Sequence, residues 1–525
     1  MKFVNFLKRP NVLFIIAFLL ISLSYNYIHI FQLGPRSLHI WRQSDCLSIT
    51  LNYYQHGMNF LEPEIHNLIA DDNTSGKTIG EFPLLYYSVA GLWKLFGVHE
   101  WIFRLVGLLL VFWGLFSLFK TTNYFLKDTF WAIWLPSILF TSPIFADYGV
   151  SFLTNVPAFS LVLVAFRYIQ LYYEKNKNSS LYIAMLLFAL AGLLKTSSLI
   201  SFFFLVVVFF GERIPWFNRE KVYLFKRAIV LIPMFLVLSV IFAWYYYAEW
   251  FNGIHNGHYT FNHLWPIWEL SKEKIHEYFV TIGKLTVHLI FNVYTLWLFL
   301  VMFLVILITP RKNSGFFYFG SIVLFGGSLL YSLFWFQALN FHDYYYVDLL
   351  FLLIFIPFSF LVFLKNNYEK VLNSNAVKVV FALILIFNVY YTTEMLELRY
   401  FPKDKKGYWP IPSEPKLLFK WTDGNFARKY KALDEIKPYF EKIGIKQDDK
   451  VISVPDGSFN VTLYLMNQPG WTEYGMDKSN LVRYIARGAK YLVINDTSVK
   501  NQDYLKPYLS NKIGAYKNVE IFRLK

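Results

Sequence analysis

The chain is 525 residues long, 56% hydrophobic and 21% aromatic with only 16% charged residues, an apolar excess that excludes an ordinary soluble domain and points to a membrane protein of many spans. Its formal charge of +15 is spread over short stretches between apolar runs, which argues against a nucleic-acid-binding face and fits anionic lipid headgroups. A single cysteine, Cys46, excludes an intrachain disulfide and a cysteine-rich metal site.

Lys2, Lys8 and Arg9 precede a first apolar run over 11–33. It exceeds the roughly 7–15 residues of a signal-peptide core and matches the roughly 20 of a spanning helix, so an uncleaved first transmembrane helix is expected. The following loop, 34–100, carries Trp41-Arg42-Gln43-Ser44-Asp45, then Glu62, Glu64, His66, Asp71, Asp72 and Lys77, then Glu81-Phe82-Pro83. A carboxylate at the mouth of a span can meet a water-borne hydroxyl on one side and a lipid-borne substrate on the other, which makes this the expected active-site loop. Within it, Asp71 to Gly76 reads as a turn and 84–96 as an interfacial helix.

Further apolar runs fall at 101–119, 130–148, 152–173, 181–194, 199–210, 228–250, 287–309, 316–336, 345–364 and 377–395. Together they suggest about eleven spans. With the amino terminus inside, Lys120 and Lys127, Lys175 and Lys177, the group Arg213, Arg219, Lys221, Lys226 and Arg227, then Arg311 and Lys312, and Lys365, Lys370 and Lys378 all fall in cytoplasmic loops. That orientation puts 34–100, the turn at Lys195, 251–286, 338–344 and the carboxyl terminus outside. Arg104, Asp147, Lys195, Glu249, Asp348 and Glu394 then lie towards outer span ends. Charge within a membrane helix is costly and marks a site or pathway, so an outward-facing polar chamber is expected.

Three parts are expected: a transmembrane domain over 1–396, a Pro- and Lys-rich linker over 397–427, and a small external α/β domain over 428–525. Lys450 to Val454 and Tyr491 to Asn495 read as strands, and Asp477 to Gly488 as a helix with Asp477 as its N-cap. Gly457 lacks the glycine partners of a nucleotide fingerprint, so no nucleotide cofactor is assigned. Asp45, His66, Asp71 and Asp72 share a loop but match no closed metal-binding spacing, and no metal site is assigned.

Taken together, several of these motifs resemble glycosyltransferase family 39 of the GT-C superfamily, which includes protein O-mannosyltransferases and enzymes that add aminoarabinose to lipid A. The resemblance rests on Trp41-Arg42-Gln43-Ser44-Asp45, Glu81-Phe82-Pro83-Leu84-Leu85-Tyr86, Arg104-Leu105-Val106-Gly107, Leu194-Lys195-Thr196 and His342-Asp343-Tyr344-Tyr345-Tyr346, in that order. It covers roughly 11–395. One departure is Leu153-Thr154-Asn155, where many relatives place an acid, so Asn155 receives no catalytic duty.

The resemblance implies a GT-C-like helical bundle in the cell (inner) membrane that transfers a sugar from a polyprenyl phosphate carrier to an acceptor on the outer side. Asp45 would be the general base and Glu81 a second catalytic acid. Lys195, Arg104, His342 and Tyr345 would hold the donor phosphate, whose growing charge needs preorganised cations. Trp41, Arg42, Asp343 and Tyr344 would contact substrate. The donor would be a polyprenyl phosphate sugar, the acceptor a glycan, lipid or protein, with membrane lipids as further partners and no resident cofactor. The alternatives are a lipid-linked sugar transporter or flippase, and a glycan ligase or polymerase using a diphosphate carrier. Neither related halves nor broken helices with midplane charge stand out in the sequence, which favours the enzyme over the transporter.

Overall fold

The structure, a computed structural model, describes residues 9–218, 220–257, 264–402 and 408–524. Lys2, Lys8, Arg219, Lys525 and residues 403–407 of the expected linker lie outside this set.

The apolar runs are helical, as they must be in lipid, where only a helix satisfies its own backbone. Among the described residues six helices are long and apolar enough to cross a membrane: Glu100–Leu126, Asn155–Lys175, Ala228–Ile254, Gly315–Phe334, Asp343–Asn367 and Asn375–Tyr400. The pair Lys272–Ile290 and Val293–Ile308, bent by 90°, makes a seventh if it is one span. Shorter apolar helices, Pro10–Ser24, Thr129–Phe140, Asn178–Leu194 and Thr196–Gly211, account for the other runs. The protein is thus a multi-pass membrane protein, with six or seven full-length spans among the described residues and shorter apolar helices at the other runs, where the sequence pattern suggested about eleven spans.

The difference comes from local breaks. Asn26 takes a left-handed conformation after Pro10–Ser24, and Pro143 restarts the chain as a separate helix after Thr129–Phe140. Lys195 is extended between its two helices. Phe291 is extended at the 90° bend, where the Asn292 side chain accepts a hydrogen bond from Tyr294 N and caps the next helix.

Two compact units emerge, one of 1–32, 104–242 and 263–417, the other of 33–103, 243–262 and 418–525. In the first, Asp343–Asn367 and Asn155–Lys175 are central, with 78% and 72% of their apolar windows buried, while Asn375–Tyr400 is peripheral at 28%.

The second unit holds a five-stranded mixed sheet in the order β2-β1-β3-β5-β4: β1 Lys450–Val454, β2 Gly470–Trp471, β3 Ala489–Ile494, β4 Lys512–Tyr516 and β5 Val519–Arg523. Strand β1 pairs in parallel with β2 and β3, and β5 runs antiparallel to β3 and β4. The two strands expected from sequence are β1 and β3. The expected helix is shorter, Val482–Ala486, and Asp477 does not cap it. Instead the Asp477 carboxylate accepts hydrogen bonds from the backbone and hydroxyl of Ser479, which closes a turn.

This unit unites the first loop with the carboxy-terminal sheet, a grouping wider than 428–525 alone. Asn67 bridges to Gly470 at the β2 edge and donates to Phe459 O (2.6 Å) and Thr472 Oγ1 (3.2 Å), while Gly470 N donates to His66 O (3.0 Å). Trp471 Nε1 donates to Asn73 Oδ1 (3.0 Å), and Leu68 joins the sheet's apolar core with Ile452, Leu492 and Phe522. The loop therefore covers an edge that would otherwise expose unpaired backbone. The linker expected over 397–427 is partly helical, containing the end of Asn375–Tyr400 and most of Ser413–Lys429.

Gly470 is the tightest point of this join, since a Cβ there would lie 1.9 Å from Val451 O, a backbone atom that cannot swing aside. Gly470→Ala should destabilise the protein by about 1–3 kcal/mol. Gly457→Ala, with nothing within 4 Å of its would-be Cβ, should not. Thermal melts of the two variants in detergent check this, and equal melting temperatures would count against it.

Candidate active site

In the second unit the helix Ile40–His56 presents the first motif. Trp41 is 52% exposed, whereas Asp45 is buried at 5%. The Gln43 amide donates to Arg36 O and Leu38 O and ties the helix start to the chain before it. Arg42 forms an ion pair with Glu81, and Tyr86 Oη donates to the same carboxylate at 3.1 Å. Glu81, expected as a second catalytic acid, is thereby engaged by two side chains of the same unit. Cys46 lies 3.2 Å from Tyr86 Oη, and burial pushes its thiol up to about 12, so it is a packing group and not a nucleophile.

His66 sits further along the same loop and is fully enclosed. Its Nδ1 is 2.6 Å from Ser48 Oγ and its Nε2 is 3.0 Å from Asn467 Oδ1. Burial outweighs the Asn467 hydrogen bond and pushes its pKa down to about 4. A neutral ring with its proton on Nε2 satisfies both neighbours. Asp71 is engaged with His255 at 2.9 Å and with Thr74 and Ser75 in the expected turn. Among the described residues no group of three or more His, Cys, Asp or Glu side chains gathers to hold a metal ion.

In the first unit Lys195 ends the helix Asn178–Leu194, and its ammonium lies 4.8 Å from the Tyr345 ring centre and 5.7 Å from that of Tyr344. The His342 ring stacks on Tyr344 with centroids 5.3 Å apart. Directly after Lys195, Ser197 Oγ and Ser198 Oγ donate to the two oxygens of Asp348, at 2.5 and 2.8 Å. The structure thus brings Lys195, His342, Tyr344 and Tyr345 together on one face. A lysine ammonium beside two aromatic faces can receive a phosphate and the sugar ring attached to it.

Arg104, expected at the donor phosphate, and Asp343, expected at the substrate, lie deeper in the packing. Arg104 is completely buried, donates to Val150 O at 2.6 Å and lies 4.2 Å over the Phe152 ring. Asp343 is buried too, and Tyr148 donates to it. Its main partner, Arg399, was not anticipated from the sequence. Arg399 pairs with Asp147 at 2.9 Å and Asp343 at 3.2 Å, all three side chains being no more than 5% exposed, and also donates to Tyr148 Oη at 2.8 Å. The charge of Arg104 also acts on Asp147, so two arginines balance two aspartates in an apolar interior. Removing one partner from such a buried pair typically costs about 3–5 kcal/mol. The available signal was an arginine at the end of the last apolar run, matched to the already suspicious Asp147.

Helices of this kind define a class, the polytopic membrane protein. Residues 81–242 match the family profile described as dolichyl-phosphate-mannose-protein mannosyltransferase, which bears out the resemblance to glycosyltransferase family 39. More particularly, the fold is similar to that of ArnT from Cupriavidus metallidurans. The crystal structure of ArnT bound to undecaprenyl phosphate matches with a TM-score of 0.58 at 13% identity over 98% of this chain and 97% of that one. The apo ArnT structure matches with a TM-score of 0.58 at 12% identity over the same shares. No curated protein sequence matches.

The His66 shift has a direct consequence. Its folded pKa, about 4, is below the ordinary 6.5, so between those values the unfolded chain takes up a proton that the folded chain does not. The contribution is intact above pH 6.5 and is lost as pH falls towards 4, amounting to about 3 kcal/mol in total. His66→Gln should flatten the stability-against-pH curve in that window, and parallel curves for the two proteins would contradict the assignment.

Proposed function

We propose that this protein moves a sugar from a polyprenyl phosphate carrier to an acceptor hydroxyl on the outer face of the membrane. The observation that carries the reading is the fold likeness over nearly the whole chain to a protein solved with undecaprenyl phosphate. The family match over 81–242 supports the same chemistry. The acceptor is a glycan, lipid or protein that offers a hydroxyl.

In this reading Asp45 takes the proton of the acceptor hydroxyl as it attacks the anomeric carbon. The bond from that carbon to the carrier phosphate breaks, and Lys195 stabilises the charge gathering on the departing phosphate. Tyr344 and Tyr345 offer their faces to the sugar ring and His342 adds a donor at the same place. Glu81 holds Arg42, and Trp41, exposed at the start of its helix, presents an apolar face to a sugar.

Asp45→Asn should yield a folded protein with transfer reduced by about 10²–10⁴. Transfer from a polyprenyl phosphate sugar by reconstituted protein is the measurement, and a near wild-type rate would remove Asp45 from the chemistry.

We also propose that the amino terminus is cytoplasmic and the carboxy-terminal sheet external, in the inner membrane, as the basic loops suggest. Reporters fused after Lys221 and after Lys525 should report opposite sides. The same side for both would overturn this orientation.

A further inference from the structure

The aromatic face opposite Lys195 belongs to a short turn, Asp343–Val347, that carries three adjacent tyrosines in the sequence and is held at both ends by charged groups. At the near end Asp348 accepts both hydroxyls of the turn that follows Lys195, Ser197 at 2.5 Å and Ser198 at 2.8 Å. At the far end Asp343 is fixed by Arg399 and Tyr148, and Arg399 is itself fixed by Asp147. Two further bonds hold the backbone between them: Asn155 Nδ2 donates to Tyr344 O (3.3 Å) and Tyr331 Oη to Tyr345 O (3.1 Å). These groups come from five helical elements of the first unit, Pro143–Tyr148, Asn155–Lys175, Thr196–Ser198, Gly315–Phe334 and Asn375–Tyr400, so the turn is fastened to all five at once.

We propose that Asp348 and Arg399 are positioning residues that lock the Tyr344–Tyr345 face against the Lys195 turn and so set the site's fit for an anionic lipid phosphate. The inference rests on the reading of Lys195 as a phosphate ligand. The physical reason for the arrangement is cost. A lysine held beside aromatic rings by packing alone would swing with its own flexible stem, whereas a carboxylate gripping Ser197 and Ser198, two and three residues on, fixes the backbone from which it projects. Asp348 is 2% exposed and accepts from both serine hydroxyls, so one buried carboxylate fixes the turn from which Lys195 projects. Arg399 does for Asp343 what the serines do for Asp348. With both ends tied, the face cannot slide along the helix axis relative to Lys195.

The test uses the full chain in nanodiscs and two probes, undecaprenyl phosphate and undecaprenol, which share a tail and differ in the phosphate. Ser197→Ala/Ser198→Ala removes the hydroxyls at the near end and leaves Lys195 in place; Arg399→Lys keeps the charge at the far end and loses the fork. Both should weaken undecaprenyl phosphate by about ten- to a hundredfold, the scale of a misplacement near 1 Å, and leave undecaprenol unchanged. Hydrogen exchange in 342–348 should rise in both. A merely structural role would lower melting temperature and folded fraction while the folded protein kept wild-type affinity for both probes, and that outcome overturns the proposal. Lys195→Ala is run alongside. If it too loses the phosphate preference while the other variants keep theirs, the positioning role alone falls. If Lys195→Ala keeps the preference, the reading of Lys195 falls and the positioning role with it. Should Arg399→Lys fail to fold, the double serine variant decides alone.

Discussion

A guanidinium with almost no exposure, set between two carboxylates inside an apolar bundle, is the constraint around which the first unit is arranged. Ions cannot be left alone in such surroundings, because the penalty for stripping their water is recovered only through close partners. Arg399 at the end of its helix therefore requires Asp147 and Asp343 at hydrogen-bonding distance, and Asp147 in turn feels the charge of Arg104. Satisfying that set fixes where the helices carrying these residues meet. It also ties down the turn that sets Tyr344 and Tyr345 beside Lys195.

The second unit meets a different demand. A five-stranded sheet has edges, and here the β2 edge is met by Asn67 of the first loop, whose side chain and neighbours bond to the segment 459–472. The loop that carries Trp41, Arg42, Asp45 and Glu81 is thus tied to the sheet instead of hanging from a helix end. His66 contributes to that fastening because it is neutral: a protonated ring would face Asn467 and Ser48 without a carboxylate to pair with. The bonds of Asn67 and Asn73 to the segment 459–472 hold this loop against the sheet.

Much of this was legible in the amino-acid sequence. Composition and apolar runs identify a multi-pass protein, and β1 and β3 follow from short β-branched stretches bounded by turn residues. The motif residues Lys195, His342, Tyr344 and Tyr345 do gather on one face. What was less legible depends on three dimensions. The turn at Lys195 was visible between two apolar runs, whereas the 90° bend at Phe291 depends on side-chain capping by Asn292, which run length does not show. Arg104 sits in a motif and at an apparent span end, which reads as accessible, yet its guanidinium is turned into the packing against Val150 and Phe152. Arg399 escaped notice because its partners lie 56 and about 250 residues before it in the chain, and only the fold brings Asp343 and Asp147 to it. Asp477 looked like a helix cap by type and position, but it closes a turn of its own first.

The central claim is that the carrier phosphate is recognised at the face formed by Lys195 and the 343–348 turn. An undecaprenyl phosphate analogue bearing a photoreactive group beside the phosphate, activated on the reconstituted protein and mapped by mass spectrometry, addresses it without any assumption about sugar or acceptor. The account predicts labelling within residues 195–198 and 342–348, suppressed by excess undecaprenyl phosphate. Labelling concentrated elsewhere in the first unit, for instance in the Phe-lined cavity of about 240 Å³ between Phe351 and Phe358, with these two segments unmarked, would contradict it.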